Sequence, residues 1–192
     1  MEGITQFLGF VGSIKRLKRA GWLRHIDSRD AESVGDHSFG VAAHFLALSD
    51  KDLCVNGQCA DRSRCIMMAL THDLAESIVG DITPQDPVTP KEKAKREGEA
   101  IRTICSSLEK TRANELIELW EEYERGHSAE AQLVKDADKF DMIVQAYDYE
   151  QRYGVSLEEF FVSTETVFKT DTFKALSRNL RDKRNTWINS KP

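Results

Sequence analysis

Long uncharged apolar runs are missing from this 192-residue chain, and no window approaches the roughly 18 residues that a membrane-spanning helix needs. Sustained alternation of apolar and polar residues is missing too, so no strand is expected. Proline is scarce: three of the four prolines fall within the single stretch TPQDPVTPKEK. Of the four cysteines, Cys54, Cys59, Cys65 and Cys105, none forms a CxxC pair. Structural zinc sites usually pair cysteines two to four residues apart, so the four are read as reduced thiols of a cytosolic protein. Excess positive charge is absent as well. A net charge of −5 and a pI near 5.6 argue against a broad basic surface for polymeric nucleic acid. A small phosphate stays admissible, provided a metal or a few local cations reverse the field at its site.

What the chain does have is an ordinary globular balance of 40% hydrophobic and 31% charged residues, and enough length for one domain over residues 1 to 192. Phe7, Phe10, Val11, Ile14 and Leu17 recur at helical spacing in the N-terminal segment. That segment is read as a core-facing amphipathic helix in preference to a secretion signal or a membrane-surface helix, and the expected compartment is the cytoplasm.

Breakers near residues 27–35, 56–61, 80–90, 126–128 and 154–156 divide the chain into about seven helices. These are expected over residues 4–20, 36–50, 62–79, 90–109, 111–125, 129–153 and 157–168, with a short one near 171–185. The fold class is therefore all-α. Pro90 suits the first turn of its helix, where a missing N–H costs nothing.

The segment MALTHDLAESIVGDITPQD concentrates the chemistry. Ile66, Ala69, Leu70, Leu74 and Ile78 would form a core stripe that encloses Asp73, and a buried carboxylate needs a cation or a metal beside it. His72 and Glu76 are four apart and share a face next to Asp73. His37 lies on a stripe with Val41, Phe45 and Leu48, and Asp138 shares a face with Val134 and Met142. Three helices could thus supply His37, His72, Asp73 and Asp138 to a divalent ion. Nitrogen and oxygen ligands suit zinc, manganese, iron, cobalt or nickel better than calcium; magnesium is a further candidate, and the identity stays open. A lone inward histidine is more often a hydrogen-bonded core residue, which is the reading for His44. His25 and His127 read as loop residues. The acids of ELWEEYE, Asp141 and Asp148 read as a solvated face, and Asp86 as surface.

The pattern of His37, the His72–Asp73 doublet and Asp138 resembles that of the HD-domain metal-dependent phosphohydrolases. RAGWLR, ESVGDHS, HDLAESIVGDITP, LWEEYE and KDADKFDMIVQAYDYE are similar, more narrowly, to the HD-domain 5'-deoxynucleotidases over roughly residues 5 to 170. That resemblance implies an HD-domain helical bundle with His37, His72, Asp73 and Asp138 as ligands of a first metal. It implies catalytic roles for Glu76 and Asp81, or a second metal on those residues and the carbonyl of Ile82. It places Trp22 near the sugar, where bulk would exclude a 2'-hydroxyl, and Arg19 or Arg24 at the phosphate.

The expected reaction is hydrolysis of deoxyribonucleoside 5'-monophosphates by a chain that binds neither a nucleic-acid polymer nor a membrane, and the resemblance implies a homodimer. The competing readings are an HD phosphohydrolase acting on a cyclic nucleotide, a nucleoside triphosphate or an alarmone, and a non-catalytic metal-binding helical interaction protein.

Overall fold

A computed structural model describes residues 1–190. Among these the chain is all-α, with nine helices: α1 Glu2–Ile14, α2 Val34–Ala47, α3 Arg62–Thr71, α4 Glu76–Val79, α5 Pro90–Cys105, α6 Lys110–Arg125, α7 Ala129–Tyr153, α8 Glu158–Ser163 and α9 Asp171–Asn189. No helix among the described residues is long and apolar enough to cross a membrane.

Local chemistry sets most of these boundaries. Side chains of Ser33, Asp61, Thr89, Ser128 and Thr170 accept first-turn backbone N–H groups at the starts of α2, α3, α5, α7 and α9. Pro90 occupies the opening turn of α5, and Gly154 ends α7 at φ 67°, a conformation costly for a side chain with a Cβ. The 25-residue α7 is the axis, with α2, α3, α6 and α9 packed around it. Phe45, Met68, Leu133, Ile143, Tyr149, Phe161 and Phe173 are among the fully buried side chains of this main core. A second cluster holds the flank: Ile14, Val34, Leu74, Ile101, Ile104 and Trp120 bring α1 and α5 against α6, with Phe7, Phe10, Val11 and Leu17 packed on it.

Three expectations need correction. The first helix stops at Ile14 rather than near residue 20, because the following segment pairs with residues 32–34: the Arg19 N–H donates to the Glu32 carbonyl at 3.1 Å and the Val34 N–H to that of Leu17 at 2.8 Å. The helix expected over 62–79 breaks into α3 and α4. Between them the N–H groups of Leu74, Glu76 and Ser77 bond three residues back, tightening the coil and turning its faces. The buried face of α3 is Cys65, Met68 and Ala69, while Leu70 and Ile78 are about half exposed. A segment that is apolar nearly all round gives periodicity little to choose between.

The cysteines differ as well. Cys54–Val55 and Gln58–Cys59 form a two-stranded antiparallel hairpin, β1 and β2, in which Cys54 and Cys59 are disulfide-bonded. Asn56 at φ 50° and Gly57 at φ 81° make the turn that sets the two opposite each other. Cys65 and Cys105 are free and buried.

Candidate functional site

The capping box of α2 puts His37 in place. The Asp36 carboxylate is spent on the Ser33 N–H at 2.8 Å, so the next residue turns inward, and His37 is fully buried. Its Nδ1–H donates to Asp141 on α7 at 2.8 Å. His72 follows the last residue of α3, and its Nδ1 lies 2.6 Å from the Ala69 carbonyl, an acceptor only, so that nitrogen carries the proton. Each ring therefore turns Nε2 toward the same space.

Two carboxylates enter that space. Asp138 of α7 lies 3.2 Å from His37 Nε2, and Asp73 lies 3.1 Å from His72 Nε2 and 3.8 Å from His37 Nε2. The approach is off-axis: both Nε2 atoms are buried without an aligned hydrogen bond. One ligand atom each from His37, His72 and Asp138 lies within 4.8 Å of the others. Donors that face one another this closely, without bonding, suit a shared cation.

The electrostatics agree. Burial and the nearby Arg19 would depress the His37 pKa, but Asp138 and Asp141 push it up to about 9. Burial would likewise raise Asp73 and Asp138. The histidines outweigh it at Asp73, and Lys139 with the histidines at Asp138, holding both well below the usual carboxylate range. The cluster thus demands positive charge, as a proton or as a metal ion.

The cluster opens into a cavity of about 680 Å³, onto which Arg19, Trp22, Arg24, Glu76, Asp81 and Ile82 also face. The Arg19 guanidinium bridges two acids, at 3.8 Å from Asp73 and 3.5 Å from Glu32. Arg24 reaches the same cavity from an exposed position. Glu76 is buried; that burial, with Asp73 and Asp81 nearby, raises its pKa well above the ordinary value. Asp81 accepts the Ala20 N–H at 2.6 Å, which ties the segment bearing Arg19 to the turn after α4. Trp22 is only 1% exposed, its indole N–H donates to Glu32 at 2.7 Å, and Phe160 of α8 lies over it at 4.4 Å between centroids.

An HD-domain family model matches residues 11–178. The chain belongs to the HD-domain family. It is 41% identical over 186 residues to the 5'-deoxynucleotidase HDDC2 of Danio rerio, covering 96% of this chain and 89% of the relative. Identity is 40% over 190 residues with the 5'-deoxynucleotidase HDDC2 of Dictyostelium discoideum, covering 96% of this chain and all of the relative. A crystal structure of a protein from Pyrococcus horikoshii OT3, 36% identical, superposes with a TM-score of 0.74 over 93% of this chain and 96% of that one.

Several residues of this HD-domain site escape a reading of the sequence. Asp141 is not solvated: beside its bond to His37 it lies 3.4 Å from His44 Nε2, and burial, which would raise its pKa, is outweighed by His37 first and His44 second. Gly40 leaves room for it, since a Cβ there would collide with the Asp141 carboxylate. Within LWEEYE, Trp120 and Tyr123 are buried, and the Tyr123 hydroxyl donates to Asp138 at 3.1 Å. Glu122 pairs with Arg64. Lys93 and Phe160 had no local signal; a lysine in a charged helix and an aromatic in a short one look ordinary until the fold aims them at one cavity. His44 packs against Phe140 and Phe173 as expected, and Asp86 is exposed and caps Thr83.

Proposed function

We propose that this HD-domain chain is a metal-dependent phosphomonoesterase that hydrolyses deoxyribonucleoside 5'-monophosphates to deoxynucleoside and phosphate, with residues 1 to 192 acting as one domain. The observation that carries this reading is the pair of buried, unbonded Nε2 atoms facing Asp73 and Asp138 at the end of a nucleotide-sized cavity. The names of the relatives supply the substrate class.

His37, His72, Asp73 and Asp138 would hold a divalent cation; manganese, cobalt, zinc, iron, nickel and magnesium are the candidates. When bound, such an ion polarises a phosphoryl oxygen and lowers the pKa of water. The chain's own residues do the rest. Arg19, half-buried next to Asp73, directs guanidinium N–H groups at the phosphate, and Arg24 is the alternative on the cavity rim. Glu76, buried in the cavity wall, delivers a proton to the departing 5'-oxygen. Asp81 raises the Glu76 pKa by like charge and anchors the Arg19 segment. Trp22 backed by Phe160 forms the apolar wall at the sugar, where a 2'-hydroxyl would lose its hydrogen bonds to water without finding others.

We also propose a cytoplasmic homodimer. The dimer reading is supported by Phe39 and Leu46, large apolar residues seven apart on α2 that are 68% and 71% exposed.

The test is phosphate release from metal-stripped protein resupplied with manganese, cobalt, zinc or magnesium, on matched deoxy- and ribonucleoside 5'-monophosphates. Metal-dependent release favouring the deoxy series is expected. Turnover of cyclic nucleotides, triphosphates or alarmones alone would replace the substrate assignment, and retained metal without any turnover would leave a binding protein.

A further inference from the structure

The family resemblance assigns a second cation, where one is bound, to Glu76, Asp81 and the carbonyl of Ile82. In this chain the Ile82 carbonyl and one Asp81 oxygen are already engaged. The Lys93 ammonium donates to the Ile82 carbonyl at 3.0 Å, and Asp81 accepts the Ala20 N–H at 2.6 Å. The donor set therefore does not fit a second divalent ion without displacing a lysine.

Lys93 is firmly placed. Thr89 and Pro90 fix the start of α5, Lys93 sits in its first turn, and Glu97 one turn later lies 3.6 Å from the ammonium. The side chain reaches from α5 into the cavity lined by His72, Asp73, Asp138 and Arg19. The acids Glu76, Asp73 and Asp81 all act on it electrostatically, with Glu97 the strongest. A divalent ion at the Ile82 carbonyl would meet like charge at contact distance, which the protein avoids by supplying that charge itself.

We propose that Lys93 is the built-in cation of the second position: the chain works with one metal ion, and the Lys93 ammonium binds the substrate phosphate opposite Arg19. This rests on the phosphomonoesterase reading above. Two fixed monovalent cations flanking a single metal would neutralise a phosphate dianion with one ion taken from solution instead of two.

The ion count decides it, measured by equilibrium dialysis against manganese with elemental analysis, for the wild-type chain, Lys93→Met and Lys93→Arg. Steady-state kinetics on a deoxynucleoside monophosphate and thermal melts accompany it. One ion per chain is expected for the wild type and for Lys93→Arg. Lys93→Met should melt normally, take up a second ion at millimolar manganese, and lose about a hundredfold in kcat/KM at low manganese, with partial recovery as the second ion binds. Two ions in the wild type, or wild-type kcat/KM in Lys93→Met, overturns the proposal. Because the count needs no substrate, an inactive wild type would overturn the functional reading and still leave the count to decide the role of Lys93.

Discussion

The Asp141 carboxylate joins two histidines of α2, with one oxygen 2.8 Å from Nδ1 of His37 and the other 3.4 Å from Nε2 of His44. A carboxylate on the far nitrogen of a metal-binding imidazole fixes its tautomer and aim. Asp141→Ala should therefore weaken manganese binding about 10- to 100-fold while leaving the four proposed ligands in place. Gly40→Ala should act in the same direction, because the new Cβ would push the Asp141 carboxylate away. Calorimetric titration of metal-stripped variants measures both. Wild-type affinity in Asp141→Ala would remove the positioning role.

Trp22 needs a gentler substitution than alanine. It is buried between Tyr149 and Phe160, and truncation to alanine would cost about 3–5 kcal/mol of stability. Trp22→Phe keeps the bulk in part, and Phe160→Ala thins the wall from the cavity side. Both should lower the deoxy-to-ribo ratio of kcat/KM by about tenfold if this wall screens the 2' position. The two substrates compared on each variant give the ratio, and an unchanged value in both variants would end that assignment.

Glu97 predicts a pH effect at the same cavity. Burial raises its pKa to about 7 against an ordinary 4.5, despite the opposing Lys93. The folded chain holds this proton more tightly than the unfolded one, so the group favours folding most fully below pH 4.5, and that contribution is lost as pH rises to about 7. Relative to Glu97→Gln, the wild type should accordingly lose melting temperature between those limits. Above pH 7 the ionised carboxylate also adds negative charge beside Lys93, so the wild-type KM for a monophosphate should rise where that of Glu97→Gln stays flat. Parallel melts and KM values across pH 4.5 to 8.5 would test both; identical profiles for the two proteins would show that Glu97 does not titrate there.

The sequence by itself determined most of the helices, because their signals are local. Caps act within three residues, and apolar spacing within four, so α7 is legible over Ala129–Tyr153 from Ser128 and Gly154 alone. CVNGQC held a local hairpin signal too, in the Asn56–Gly57 turn between the two cysteines. The tertiary structure decided which charges meet. Asp141 and Asp148 look alike along α7, yet one meets His37 across 104 residues and the other faces Arg152 one turn away. Asp81 finds the Ala20 N–H 61 residues back, and Lys93 finds the Ile82 carbonyl only because the proline-rich loop folds α5 over the turn after α4. Such pairings depend on the position and rotation of packed helices, and a buried charge settles wherever packing supplies a partner.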